Sequence, residues 1–282
     1  MEFLVEPFRF EFFRNGLIVA AVAGGLCAVV GTYVVLRNMS YIGHGLAHAI
    51  FGGAVASFLA GINFYLGAGA WGVASALMVN RVARRRTISA DAAIGVITTA
   101  SFALGVALIS RARGFTRNFE AALFGNVLGV EKLDVAVVIG VALMVSLVVI
   151  ILYRPFLFLT FDPEVAEVFG VRTARLDALF ALLLAATVIA TMQVLGVTLI
   201  AAALVIPPVV ARLMTDRFRT MLALSVVIGT VSGFAGMYLS FYLDIASGAA
   251  IVLTQATIFT FAYLATAQNR AGHKRSLGVP AH

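Results

Sequence analysis

Long apolar runs joined by short charged loops constrain this chain more than any other feature. Such runs, about 17–24 residues each, fall at roughly 16–36, 41–61, 64–80, 91–110, 133–153, 176–194, 197–213, 221–243 and 248–267. At 1.5 Å per residue each is long enough to cross, or nearly cross, a hydrocarbon core about 30 Å thick. Within lipid a backbone must satisfy its own polar groups, so such segments fold as helices. The fold class expected is therefore all-α: a polytopic membrane protein of nine transmembrane helices. Only Leu195-Gly196 separates the sixth and seventh runs, so an eight-span chain with a re-entrant pair is the alternative. Charged residues make up 12% of the chain, about half the share of a soluble domain.

The placement of charge orients the spans. Arg37, Arg81 to Arg86, Arg154, Arg172 with Arg175, Arg212 to Arg219, and Arg270 to Arg275 fall on one side and hold fourteen of the twenty basic residues. By the positive-inside rule that side, with the C-terminus, is cytoplasmic and the N-terminus faces out. The net charge of +7 thus reads as topology, and nucleic acid is not expected as a partner. Residues 1–15 read as an amphipathic lead-in with Phe3, Phe8, Phe10, Phe12 and Phe13 at the membrane interface, not as a cleavable signal. Residues 268–282 read as a polar cytoplasmic tail, and the whole of 1–282 as a single transmembrane domain. One cysteine, Cys27, excludes a disulfide and a thiolate-rich metal site.

The candidate site is a pair of histidines. His44 and His48, four residues apart near the start of the second run, stack on one helix face with both rings in reach of a common ion. Ionisable groups at membrane depth are candidates for function, and the small residues around the pair allow another backbone to come close. Asp91 opens the fourth run, as an exit ligand or as a helix cap. Asp244, at the outer end of the eighth run, reads as a contact for the incoming ion or a delivery protein, or as a solvated acid. Glu120, Glu131 and Asp134 read as a solvated fringe. Pro207-Pro208 falls inside the seventh run and is expected to break helical hydrogen bonding there, which is tolerated at membrane depth only against protein or a watery cavity. Between the fifth and sixth runs, Asp162-Pro163-Glu164-Val165-Ala166-Glu167-Val168-Phe169-Gly170 carries a cap, a first-turn proline and a terminal glycine. That pattern predicts one short helix in the cytoplasm, more than a linker needs.

The stretch Arg37-Asn-Met-Ser-Tyr-Ile-Gly-His-Gly-Leu-Ala-His-Ala49 resembles the opening signature of ABC-type zinc, manganese and iron importer permeases. The resemblance continues through Asp91 to Gly95, Leu123 to Leu128, Phe161 to Ala166 with Gly170, Gly196 to Pro207, and Ser240 to Ala249. It implies a homodimer of permease chains in the bacterial inner membrane, surrounded by lipid. Two cytoplasmic ATPase subunits and an extracytoplasmic solute-binding protein would complete the importer. The short helix would match the coupling helix, with Asp162, Glu164, Ala166, Glu167 and Gly170 facing the ATPase. The chain itself is expected to be no enzyme, since no Gly-x-x-x-x-Gly-Lys-[Ser/Thr] loop is present. No permanent cofactor is implied; the metal is cargo. His44 stands where the family usually has aspartate, and imidazole suits zinc better than manganese. Zinc is accordingly the expected cargo, with manganese or iron as the alternative. A proton-coupled transporter would need acids within its spans, and a zinc hydrolase would need an acid where Gly45-Leu46-Ala47 stands.

Overall fold

The computed structural model describes residues 6–84, 89–111, 123–125 and 129–276. Among them the regular structure is helical: α1 (Glu11–Leu36), α2 (Ser40–Leu59), α3 (Phe64–Arg84), α4 (Ala90–Arg111), α5 (Lys132–Ile151), α6 (Tyr153–Phe161), α7 (Pro163–Val168), α8 (Thr173–Leu195), α9 (Ile200–Met214), α10 (Phe218–Leu243) and α11 (Ser247–Ser276). Each of the nine apolar runs coincides with one helix. Seven are long and apolar enough to cross a membrane by length and composition; α3 and the 15-residue α9 fall short of that measure.

Burial separates the centre from the rim. About 72% of the apolar stretch is buried in α1 and α2, against 22% in α4, α5 and α11. Helices in lipid gain little from hiding apolar surface, so close approach through small residues has to hold them together. The α1–α10 contact shows this. A Cβ on Gly24 would lie 2.1 Å from the Gly229 carbonyl oxygen, and one on Gly229 would lie 2.3 Å from that of Gly24. Neither position tolerates a side chain. Cys27 is buried in α1 with its thiol 3.9 Å from Thr191 of α8.

Pro207 and Pro208 both lie buried inside a continuous α9, so the interruption is confined to hydrogen bonds and does not end the helix. The missing Pro208 N–H frees the carbonyl of Leu204, four residues earlier. That oxygen faces Gly31 of α1, where a Cβ would sit only 1.9 Å away. A glycine in the neighbouring helix thus makes room for the carbonyl the proline leaves unpaired. The α8–α9 turn is also buried. Gly196 takes a left-handed backbone (φ 74°), and Thr198 donates from its hydroxyl to the carbonyl of Leu123 at 2.7 Å.

The lead-in is two-faced, with Glu6, Arg9 and Phe10 exposed. It forms a 3-10 turn (Glu6–Arg9) and the first turn of α1. Phe13 is fully buried, and its ring packs 5.3 Å from Tyr238 and 5.1 Å from Phe241 of α10. The aromatic rings therefore bind protein, not only lipid. Phe3 lies outside the described residues.

Candidate metal site on the open flank of α2

α2 begins at Ser40, so His44 and His48 lie about 6 and 12 Å along its axis. Three faces of the helix are taken up by neighbours. Gly43 meets Leu204 of α9, Gly45 meets Ile94 and Thr98 of α4, and Gly53 meets Trp71 of α3. The histidines occupy the remaining flank beside α4 and are half-buried. Tyr41, 58% exposed, continues that flank towards the helix start.

Their geometry is close. His44 Nε2 and His48 Nε2 lie 3.1 Å apart, with ring centroids 4.4 Å apart. The His48 ring stands edge-on to Phe102 at 4.7 Å, and its buried Nδ1 has no hydrogen-bond partner. Without an ion, one Nε2 donates to the other. Two imidazole nitrogens about 2.0–2.1 Å from one zinc ion stand roughly 3.0–3.4 Å apart at ordinary ligand angles. The observed 3.1 Å spacing falls within that range. Among the described residues no three His, Cys, Asp or Glu side chains gather as a metal cluster. The pair offers two nitrogen donors and, among those residues, no third.

The other candidates are not brought to this pair. Asp91 occupies the first turn of α4, the helix beside the histidines; its side chain lies outside the described residues. Asp244 caps α10 in a left-handed conformation (φ 51°) and is exposed, and α10 is not a principal neighbour of α2. Glu120 lies outside the described residues. Asp134 is not solvated as expected. It is 8% exposed, accepts from the Tyr65 hydroxyl and accepts from the Glu131 backbone N–H at 2.8 Å. Glu131 and Asp134 form a reciprocal capping box at the start of α5. Two acids three residues apart before an apolar run carried that signal.

The short helix α7 forms as expected. Asp162 accepts from the Val165 N–H at 2.9 Å, Pro163 opens the first turn, and Gly170 follows with φ 78°. Its faces are not equivalent. Val168 and Phe169 are 86% and 75% exposed, whereas Ala166 is fully buried. Ala166 therefore packs inside this chain, contrary to its reading as an ATPase contact. Glu164 is exposed, and Glu167 accepts from the Thr173 hydroxyl in the first turn of α8.

Sequence reasoning missed one ion pair. Arg37, in the turn between α1 and α2, meets Asp177 of α8 at 2.5 Å, with only 15% and 18% of the side chains exposed. The Arg37 guanidinium also lies 5.0 Å from the centre of the Phe180 ring. Partners 140 residues apart leave no periodic trace. The pair borders a cavity of about 180 Å³ that also includes Met39, Ile42 and Asn80. Ile42 is two residues from His44, so it lies on the far side of α2; this cavity is not the histidine site.

The chain belongs to the ABC 3 transport family, whose model matches residues 9–266. It is 37% identical over 261 residues to the manganese transport system membrane protein MntC of Halalkalibacterium halodurans, covering 93% of this chain and 89% of that one. It is 35% identical over 269 residues to the manganese import system permease protein ScaB of Streptococcus gordonii, covering 95% and 96%. Among solved structures, PsaBC from Streptococcus pneumoniae in complex with Fab superposes with a TM-score of 0.84 at 31% identity, over 93% of this chain and 94% of that one. The chain is thus a multi-pass permease of the bacterial inner membrane in a metal ABC importer family, and is not itself an enzyme.

Proposed function

We propose that this permease carries manganese into the cell past the His44–His48 pair, driven by a separate ATPase. The 3.1 Å approach of the two Nε2 atoms on a half-open flank is the observation that carries this reading. A bare divalent ion faces a penalty of tens of kcal/mol in hydrocarbon, and two imidazoles replace part of its water. A second copy of the chain, related by a twofold axis along this flank, supplies two more. Four such donors keep the ion exchangeable as long as no closed cage forms.

On cargo, the sequence pointed to zinc because imidazole replaces a carboxylate at His44. The relatives' names favour manganese, and the reading moves there. Manganese accepts imidazole as well as oxygen, so His44 alone does not exclude it. α7 docks on the ATPase through Val168 and Phe169, and a solute-binding protein delivers the ion from outside.

The test is uptake of radioactive manganese by cells expressing the complete transporter. His44→Ala and His48→Ala should each lower the initial rate at least tenfold while permease levels in the membrane stay normal. Wild-type rates in both variants would reduce the pair to a packing contact. Faster saturable uptake of zinc or iron than manganese by the unaltered protein would reassign the cargo and leave the site standing.

A further inference from the structure

An open groove of about 600 Å³ lies between α1, α5 and α10. It is on the side of the bundle away from the histidines, since neither α5 nor α10 is a principal neighbour of α2 or α4. Its wall is apolar, formed by Val29, Val149, Ile150, Leu222 and Val226, and its mouth holds Tyr153 and Arg219. These positions lie at one end of the bundle. Val29 is seven residues from the end of α1, Val226 eight residues from the start of α10, and Ile150 is in the last turn of α5. The groove therefore runs about 10–12 Å inward from one membrane surface.

That surface is rich in arginine. Arg154, Arg217 and Arg219 are exposed there, and the nearby acid Asp216 is held by Arg212 at 3.2 Å. Arg219 lies 5.8 Å from the centre of the Tyr153 ring, so its guanidinium is kept at the groove mouth. No carboxylate among the described residues pairs with it. An apolar trough at membrane depth with a cation at its rim matches one ligand class, a lipid with an anionic head.

We propose that this groove binds one anionic phospholipid. Its phosphate sits on Arg219 and an acyl chain lies along Val29, Val149, Leu222 and Val226. The proposal is independent of the metal site. A lipid here would brace α5 against α10, two helices that both lean on α1.

Native mass spectrometry of the full chain tests it, using phosphatidylglycerol and phosphatidylcholine with identical acyl chains. Phosphatidylglycerol should be retained about fivefold more, the preference expected of one arginine at a membrane surface. Arg219→Ala should remove that preference, whereas Arg212→Ala, whose guanidinium is engaged by Asp216, should keep it. Ala223→Phe, which fills the groove, should lower binding of both lipids. Equal retention of the two lipids, or an unchanged preference in Arg219→Ala, overturns the proposal. In membranes, Val227→Trp in a Trp71→Phe background should be quenched more by brominated phosphatidylglycerol than by brominated phosphatidylcholine. Equal quenching counts against the site. If Ser146→Cys crosslinks to a second copy or another subunit in the assembled transporter, the groove is a protein interface and the lipid assignment fails.

Discussion

At the scale of single residues, His44 carries the sharpest chemical question. A second imidazole beside His48 supplies a neutral nitrogen donor, and aspartate would supply a charged oxygen donor. Hard oxygen donors favour manganese over zinc relative to nitrogen. His44→Asp should therefore raise the manganese-to-zinc uptake ratio severalfold, measured in competition with both metals present. An unchanged ratio would place selectivity outside this permease, for instance in the delivery protein. Asp134 shows how a residue's type can mislead. An acid beside a loop is most often solvated, yet Tyr65 and the Glu131 N–H enclose it.

At the scale of elements, α7 and the Arg37–Asp177 pair are both tied to the first turns of α8. Glu167 of α7 holds Thr173 in the first turn of α8. One turn on, Asp177 holds Arg37, which lies three residues before α2 and its histidines. Two polar contacts thus join α7 to the turn before the histidine helix. Removing one member of a largely buried pair costs about 3 kcal/mol. Arg37→Gln and Asp177→Asn should each slow uptake and lower thermal stability. The double variant should lose clearly less than the sum of the two; strict additivity would show that the two side chains are not coupled. The exposed face of α7 is a separate matter. Phe169→Ala with Val168→Ser should weaken association with the ATPase at least tenfold in a pull-down from membranes, with permease levels unchanged. Ala166→Glu should act differently. It forces a charge into a fully buried position and should reduce the amount of folded permease, as read from its thermal melting.

At the scale of the whole molecule, orientation follows from loop charge. A reporter fused after the C-terminal residue should be active in the cytoplasm. A cysteine replacing Asp244, in the exposed turn between α10 and α11, should react with an impermeant maleimide added outside intact cells. Cys27 is fully buried and should not compete. Labelling only after permeabilisation would invert the arrangement and move the arginine-rich end outside.

Much of this architecture was legible in the chain. Each hydropathy run located one helix, seven of them long and apolar enough to span, because a lipid-exposed backbone has no alternative to the helix. Asp162, Pro163 and Gly170 marked α7 because caps and stops act within a few residues. The i, i+4 spacing of His44 and His48 put both rings on one face before any packing was known. Packing decided the rest. Ala166 points inward and Val168 outward on a helix too short for periodicity to distinguish its faces. The carbonyl that Pro208 frees, that of Leu204, finds its room at Gly31 of another helix. Arg37 finds Asp177 across 140 residues, and the groove below Arg219 exists only where α1, α5 and α10 meet. Helix formation in lipid is a local backbone requirement, so sequence alone determined it. Which faces meet depends on contacts between segments far apart in the chain, so only the tertiary structure decided it.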